Sequence, residues 1–188
     1  MNLPNKLTVL RTALVPVFLL FLLMDNIPNN YLWACLIFAI ASFTDFLDGK
    51  IARSRNLVTN FGKFLDPLAD KILVTCALVA FIALGLAHPV AVIIIIARDY
   101  IVSALRLIAV SSDGKVIAAN WWGKIKTALQ MFGTIGVMLA MFLSERGLLP
   151  LVDVVHWSNI VMWVLAAFTG VSGAVYLKQN ASLLSDAK

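Results

Sequence analysis

Six apolar runs of about twenty residues, separated by short polar breaks, leave this chain one way to satisfy its backbone. A bilayer core about 30 Å thick takes ~20 helical residues to cross and offers no water to an unpaired N–H or C=O. The runs are roughly Leu7–Met24, Tyr31–Arg53, Leu65–Leu86, Pro89–Ala109, Gly123–Ser144 and Val154–Leu177. Each is expected to be a transmembrane helix, since isolated strands would leave polar backbone groups unpaired in hydrocarbon. Composition agrees: 61% of the 188 residues are hydrophobic and 13% are charged, outside the range of ordinary soluble domains. The expected fold is all-α, a polytopic membrane protein with six transmembrane helices in which residues 1–188 form one integral domain.

The first run is not read as a cleaved secretory signal, because it is long, carries Arg11 and lacks a small-residue cleavage pattern before the Asp25–Asn30 turn. Cys35 and Cys76 sit alone in apolar runs and are read as packing residues, with neither disulfide framework nor metal spacing. The net charge of +5 informs through its placement. With a cytoplasmic N-terminus, six crossings return the C-terminus to the cytoplasm, and of 15 Lys and Arg all but Arg146 lie on or toward that side, as the positive-inside rule requires. The opposite breaks, near Pro28, Pro89 and Pro150, read as tight external turns. Trp33 and Trp157 then mark the outer interface, and Trp121 with Trp122 the inner one.

One layer collects the charge. Counting ~1.5 Å per residue from each outer end, Asp45 lies ~21 Å down, Asp48 ~26 Å, Asp70 ~24 Å and Asp66 ~30 Å. Arg106 reaches ~26 Å, Lys126 ~27 Å and Arg11 ~20 Å by the same count. Asp45 and Asp48 are i, i+3, and Asp66 and Asp70 are i, i+4, so each pair shares a helix face. Four carboxylates at the edge of a low-dielectric medium repel, and the remedies are protonation, salt bridging or a bound cation. A divalent ion fits best; oxygen donors suit Mg²⁺, Mn²⁺ or Ca²⁺, and His88 and His156 fall on the outer side. The bland alternative is that the aspartates pair with Lys50, Arg53, Arg55, Lys63 and Lys71 as solvated helix ends. Charges within transmembrane segments are costly and by default mark function. Gly49 and Gly62 add weight, since glycine permits close backbone approach.

The pattern Asp45-x-x-Asp48-Gly49-x-x-Ala52-Arg53, then eight residues, Gly62, three residues, Asp66, three residues and Asp70 resembles the signature of the CDP-alcohol phosphotransferase family at every fixed position. The stretches "NLPNKLTVLR", "TNFGKFLDPLADK", "ARDYIVSALRL" and "AANWWGKIKTALQ" extend the resemblance over most of the chain, toward the bacterial members that make phosphatidylglycerophosphate. The resemblance implies the family's fold and a single catalytic domain that moves a phosphatidyl group from CDP-diacylglycerol to sn-glycerol 3-phosphate, releasing CMP. It also implies two divalent ions, Mg²⁺ or Mn²⁺, held by Asp45, Asp48, Asp66 and Asp70, with Asp70 as general base. CDP contacts carry over to Asp45, Asp48, Gly49, Ala52, Arg53 and Gly62. Taken alone, Gly49 and Ala52 would equally suit close helix packing, and Arg53 inner-interface anchoring.

A phosphorylated acceptor needs a basic pocket, for which Arg106, Lys124, Lys126 and Arg11 are the candidates. Lys124 and Lys126 point about 160° apart on a regular helix, so one of them faces the site; Lys126 is preferred, with Lys124 toward anionic lipid headgroups. Arg98 and Asp99 lie near the bilayer centre by the residue count and are expected to pair with another helix or subunit. The partners expected are the two substrates, membrane lipids and a second copy of the chain in a homodimer through helices three and four, with no nucleic acid. The location expected is the cytoplasmic membrane, multi-pass, with both termini and the active site inside. Other acceptors, namely serine, inositol phosphate or phosphatidylglycerol, fit the same donor motif. A small transporter would concentrate its polar groups near the midplane and often repeat internally; this chain does neither.

Overall fold

A computed structural model describes the backbone of residues 3–54, 60–113 and 121–179, and the side chains of residues 9–44, 71–105, 121 and 123–179. Six helices follow one another: α1 Leu3–Leu23, α2 Asn30–Ser54, α3 Asn60–Ala83, α4 Pro89–Asp113, α5 Trp121–Glu145 and α6 Leu151–Gln179. They match the six runs within a few residues at each end.

The third helix, expected to run to Leu86, ends at Ala83. The chain instead turns at Gly85, whose φ is +71°. The Leu86 N–H donates to the Phe81 carbonyl at 2.8 Å and the Gly85 N–H to the Ile82 carbonyl at 3.0 Å. This is a Schellman closure, which uses a left-handed residue that glycine adopts without steric cost. Gly147 closes α5 the same way, with φ +70° and the Leu148 N–H on the Leu143 carbonyl at 3.0 Å.

Among the described residues, Gly123–Glu145 and Leu151–Gln179 are long and apolar enough to cross a bilayer, whereas Val9–Leu23, Asn30–Thr44 and Lys71–Ala83 are shorter apolar stretches. The sequence expectation of six full apolar spans is therefore met there by two. In α4, Arg98 and Asp99 interrupt the apolar sequence.

Three helical hairpins, α1–α2, α3–α4 and α5–α6, bring their short turns to one end of the bundle. Arg146 Nη2 in the third turn donates to Asn29 Oδ1 in the first at 2.6 Å, and Ser158 Oγ of α6 donates to the Leu86 carbonyl of the second at 2.8 Å. The second bond sets a step in the structure. Ser158 lies ~10 Å along α6 from Leu151, so the turn between α3 and α4 is recessed by about that length from the turn between α5 and α6.

The core uses all six helices. Phe18 of α1 packs on Phe38 of α2, with ring centroids 5.6 Å apart, and joins Leu78 and Phe81 of α3, Ile95 of α4, Met138 of α5 and Met162 of α6, all fully buried. Small residues set close approach: a Cβ on Gly133 would meet Leu165 Cδ1 at 3.0 Å, and one on Gly173 would meet Arg98 Cγ at 2.7 Å. Between lipid-facing helices such packing is the main attraction, since lipid tails are as apolar as leucine. Large apolar side chains cover the outside, among them Phe43, Ile93, Phe132 and Val164, a surface suited to hydrocarbon.

Candidate active site

The sequence places acidic side chains at the ends of α2 and α3 away from the turns, and the structure supplies a cavity one helical turn from them. A pocket of about 40 Å³ lies between α1, α2, α3 and α5, lined by Arg11, Ser42, Leu73, Val74, Thr127, Gln130 and Met131. Arg11, Ser42 and Gln130 are at most 8% exposed, so three polar groups are held inside an otherwise apolar bundle. Sequence reasoning had named Arg11 but not Ser42, Thr127 or Gln130. A signal for two of them was present: Ser42 is three residues before Asp45, and Gln130 is four after Lys126, so each continues a candidate's helix face.

That register links the pocket to the aspartates. Asp45 follows Ser42 at i+3 on α2, and Asp70 precedes Leu73 and Val74 at i−3 and i−4 on α3. Ser42, Leu73 and Val74 line one cavity. The helix faces on which Asp45 and Asp70 stand therefore converge there, and the two faces continue to Asp48 and Asp66. The side chains of Asp45, Asp48, Gly49, Ala52, Arg53, Gly62, Asp66, Asp70 and Arg106 lie outside the described residues; their backbones run in α2, α3 and α4. Among the described residues no group of three or more His, Cys, Asp and Glu side chains gathers.

The recessed turn corrects the common depth scale. Measured from the protruding turns, the Asp48 backbone stands ~27 Å down and Asp70 ~30 Å, while Arg106 moves out to ~36 Å. Asp99 moves by the same step, from about 15 Å to ~25 Å below the protruding turns, beside Lys126 at ~28 Å. Counting residues from each helix's own end had separated two residues that touch.

Lys126 is 4% exposed, and its ammonium donates to both carboxylate oxygens of Asp99, tying α5 to α4. Arg98 Nη1 donates to Asp99 Oδ1 at 3.3 Å. The Arg98 stem lies over Gly173 of α6, where any larger residue would occupy its space. Of the pair expected to meet another helix, Asp99 thus has a named partner, Lys126, while Arg98 bonds to Asp99 and packs on α6. Lys71 of α3, the residue after Asp70, is within electrostatic reach of that ammonium. Lys124 points elsewhere: it is exposed, with Nζ 5.5 Å from the centroid of the Trp121 ring, an arrangement suited to a membrane interface.

The donor set suits hard cations, since hard divalent ions take carboxylate oxygens and the four aspartates supply only those. The arrangement combines an acidic pair of helix ends, a small cavity with three buried polar side chains in or beside its wall, and a buried ammonium on α5, one of the helices that line it. That is what transfer of a phosphate-linked group requires, namely charge neutralisation, alignment and a place for a proton.

Known proteins bear on this geometry. The chain is 42% identical to the CDP-diacylglycerol–glycerol-3-phosphate 3-phosphatidyltransferase of Bacillus subtilis, over 95% of both chains. It is 39% identical to the protein of the same name from Rickettsia bellii, over 94% of both. A probable phosphatidylglycerophosphate synthase of Mycobacterium tuberculosis is 38% identical, over 94% of this chain and 80% of that protein. The profile of the family described as CDP-alcohol phosphatidyltransferase matches residues 1–171, and with the acidic motif on α2 and α3 it establishes that the chain belongs to that family of enzymes.

Proposed function

We propose that this protein transfers the phosphatidyl group of CDP-diacylglycerol to sn-glycerol 3-phosphate, giving phosphatidylglycerophosphate and CMP. The observation that carries the reading is the convergence, on one cavity, of the α2 and α3 faces that bear the aspartate motif. The names of relatives matched along nearly their whole length support glycerol 3-phosphate as the acceptor.

The reaction forms a bond between the acceptor's 1-hydroxyl oxygen and the phosphorus that carries the diacylglycerol, and breaks that phosphorus's bond to the CMP oxygen. Asp70 accepts the hydroxyl proton. Asp45, Asp48, Asp66 and Asp70 would hold two divalent ions, Mg²⁺ or Mn²⁺, which supply neutralisation of the pyrophosphate and of the charge that develops on the leaving CMP. Gly49, Ala52 and Gly62 let the CDP moiety approach the backbone, and Arg53 offers its planar fork to a phosphate oxygen. Lys126 and Arg106 bind the phosphate of the acceptor, and Arg11, on the cavity wall, adds positive charge behind the reacting groups. Lys124, stacked beside Trp121, serves anionic headgroups.

All six helices cross the membrane in this reading, with the turns outside and both termini and the site at the cytoplasmic boundary. There the soluble acceptor meets a donor whose tails stay in lipid. The chain pairs as a homodimer through α3 and α4, which present Val79, Ile93 and Ile101 outward. The test is CMP release by the purified protein from CDP-diacylglycerol, with a divalent ion, across a panel of alcohols. Glycerol 3-phosphate should react; turnover with serine or inositol phosphate and none with glycerol 3-phosphate would overturn the acceptor while leaving the chemistry.

A further inference from the structure

Asp99 has no part in the reaction as described above, yet it is the most heavily used carboxylate among the described residues. Both of its oxygens accept from Lys126, and Oδ1 also accepts from Arg98. Its own carbonyl accepts from Ser103 Oγ at 2.8 Å, a bond back along the same helix. Its side chain is 16% exposed and that of Lys126 is 5% exposed. Among the described residues, two cations and one anion leave the cluster with one surplus positive charge inside a membrane protein, where uncompensated charge is expensive.

The donor count shows what the surplus is for. A lysine ammonium has three N–H donors; two go to Asp99, which leaves one. A long flexible stem buried without a counterion would either lose its proton or move its charge elsewhere. The Asp99 carboxylate opposes both: it favours the charged ammonium and points it, while the positive charge of Arg98 and of Lys71 close by draws an anion. We propose, resting on the acceptor-site reading of Lys126, that Asp99 is a positioning residue that holds the Lys126 ammonium where the acceptor's phosphate arrives. Arg98, pinned over Gly173 of α6, braces Asp99 from the other side, so that α4, α5 and α6 together hold the ammonium.

The test is a double-mutant cycle on the full-length protein in detergent, with CMP release followed against both substrates. Asp99→Asn keeps the shape and removes the charge. It should raise the glycerol 3-phosphate KM by about ten- to a hundredfold, the worth of a charge-assisted hydrogen bond, and leave the CDP-diacylglycerol KM within about twofold. Lys126→Ala should do the same, and adding Asp99→Asn to it should have no further effect on the acceptor KM, because the residue through which Asp99 acts is gone. Asp99→Ser runs the same cycle if Asp99→Asn is recovered in too little quantity.

If Lys126→Ala raises the acceptor KM while Asp99→Asn is silent, multiplies that rise fully, or raises both KM values alike, this inference is overturned and the acceptor site stands. If Lys126→Ala leaves the acceptor KM unchanged, the reading of Lys126 falls and takes the inference with it.

Discussion

The two ends of this bundle are built on opposite principles. At the turn end, local backbone chemistry closes each hairpin: Asn29, Gly85 and Gly147 at positive φ, carbonyls satisfied within the turn, and two side-chain bonds, Arg146 to Asn29 and Ser158 to Leu86, joining the hairpins. At the other end the helices run on into charged sequence, and the described contacts there are long-range: Lys126 reaches across to Asp99 and Arg98 packs on Gly173. The turn end satisfies its backbone groups within each turn and joins the hairpins with two side-chain bonds that bury no charge. The site end keeps charge where burial is costly and offsets the cost with partners from other helices. Stability and function are therefore separated along the bundle axis, and substitutions at the two ends should fail in different ways.

The sharpest test of that separation is at the acidic motif. Asp66→Asn and Asp70→Asn should abolish turnover while the purified protein keeps its helical circular dichroism and its thermal transition. Loss of fold together with activity would mean that the acidic end also holds the bundle together. Lys126→Ala should raise the glycerol 3-phosphate KM and spare that of CDP-diacylglycerol; equal loss toward both would remove the case for a dedicated acceptor pocket.

Gly173→Ala probes the boundary between the two regimes. Its Cβ would lie 2.7 Å from Arg98 Cγ, so Arg98 must shift, at a cost of about 1–3 kcal/mol as in other overpacked sites. Here stability and acceptor KM should change together, measured by thermal denaturation and steady-state kinetics. Gly85→Ala should have the smallest effect, about 1–2 kcal/mol of stability from placing a side chain at positive φ. Turnover at a temperature well below the transition should be unaltered. A kinetic defect there would show the two ends to be coupled.

Much of this was legible before any coordinates. The helix count follows from the number of apolar runs, and the helix ends fall within five residues of the run ends. The acidic motif could be assigned to two helix faces by spacing alone, and Lys126 and Lys124 could be sent to opposite faces, as the structure has them: one buried, one exposed. What spacing missed was polar but undramatic. Ser42 and Gln130 look like ordinary interruptions of an apolar run until the helices that carry them meet around a cavity.

The chain's own sequence determined its class, its six helices, where each turns back and which helices carry acid and base, since all of these depend on local propensity and on the length of chain that hydrocarbon accepts. Only the tertiary structure decided how far the hairpins slide past one another. That offset rests on a contact such as Ser158 with Leu86, 72 positions apart in sequence, and packing between distant side chains leaves no periodic trace for a reader of the sequence to follow. The slide puts Asp99 against Lys126, a pairing that counting along either helix does not reveal.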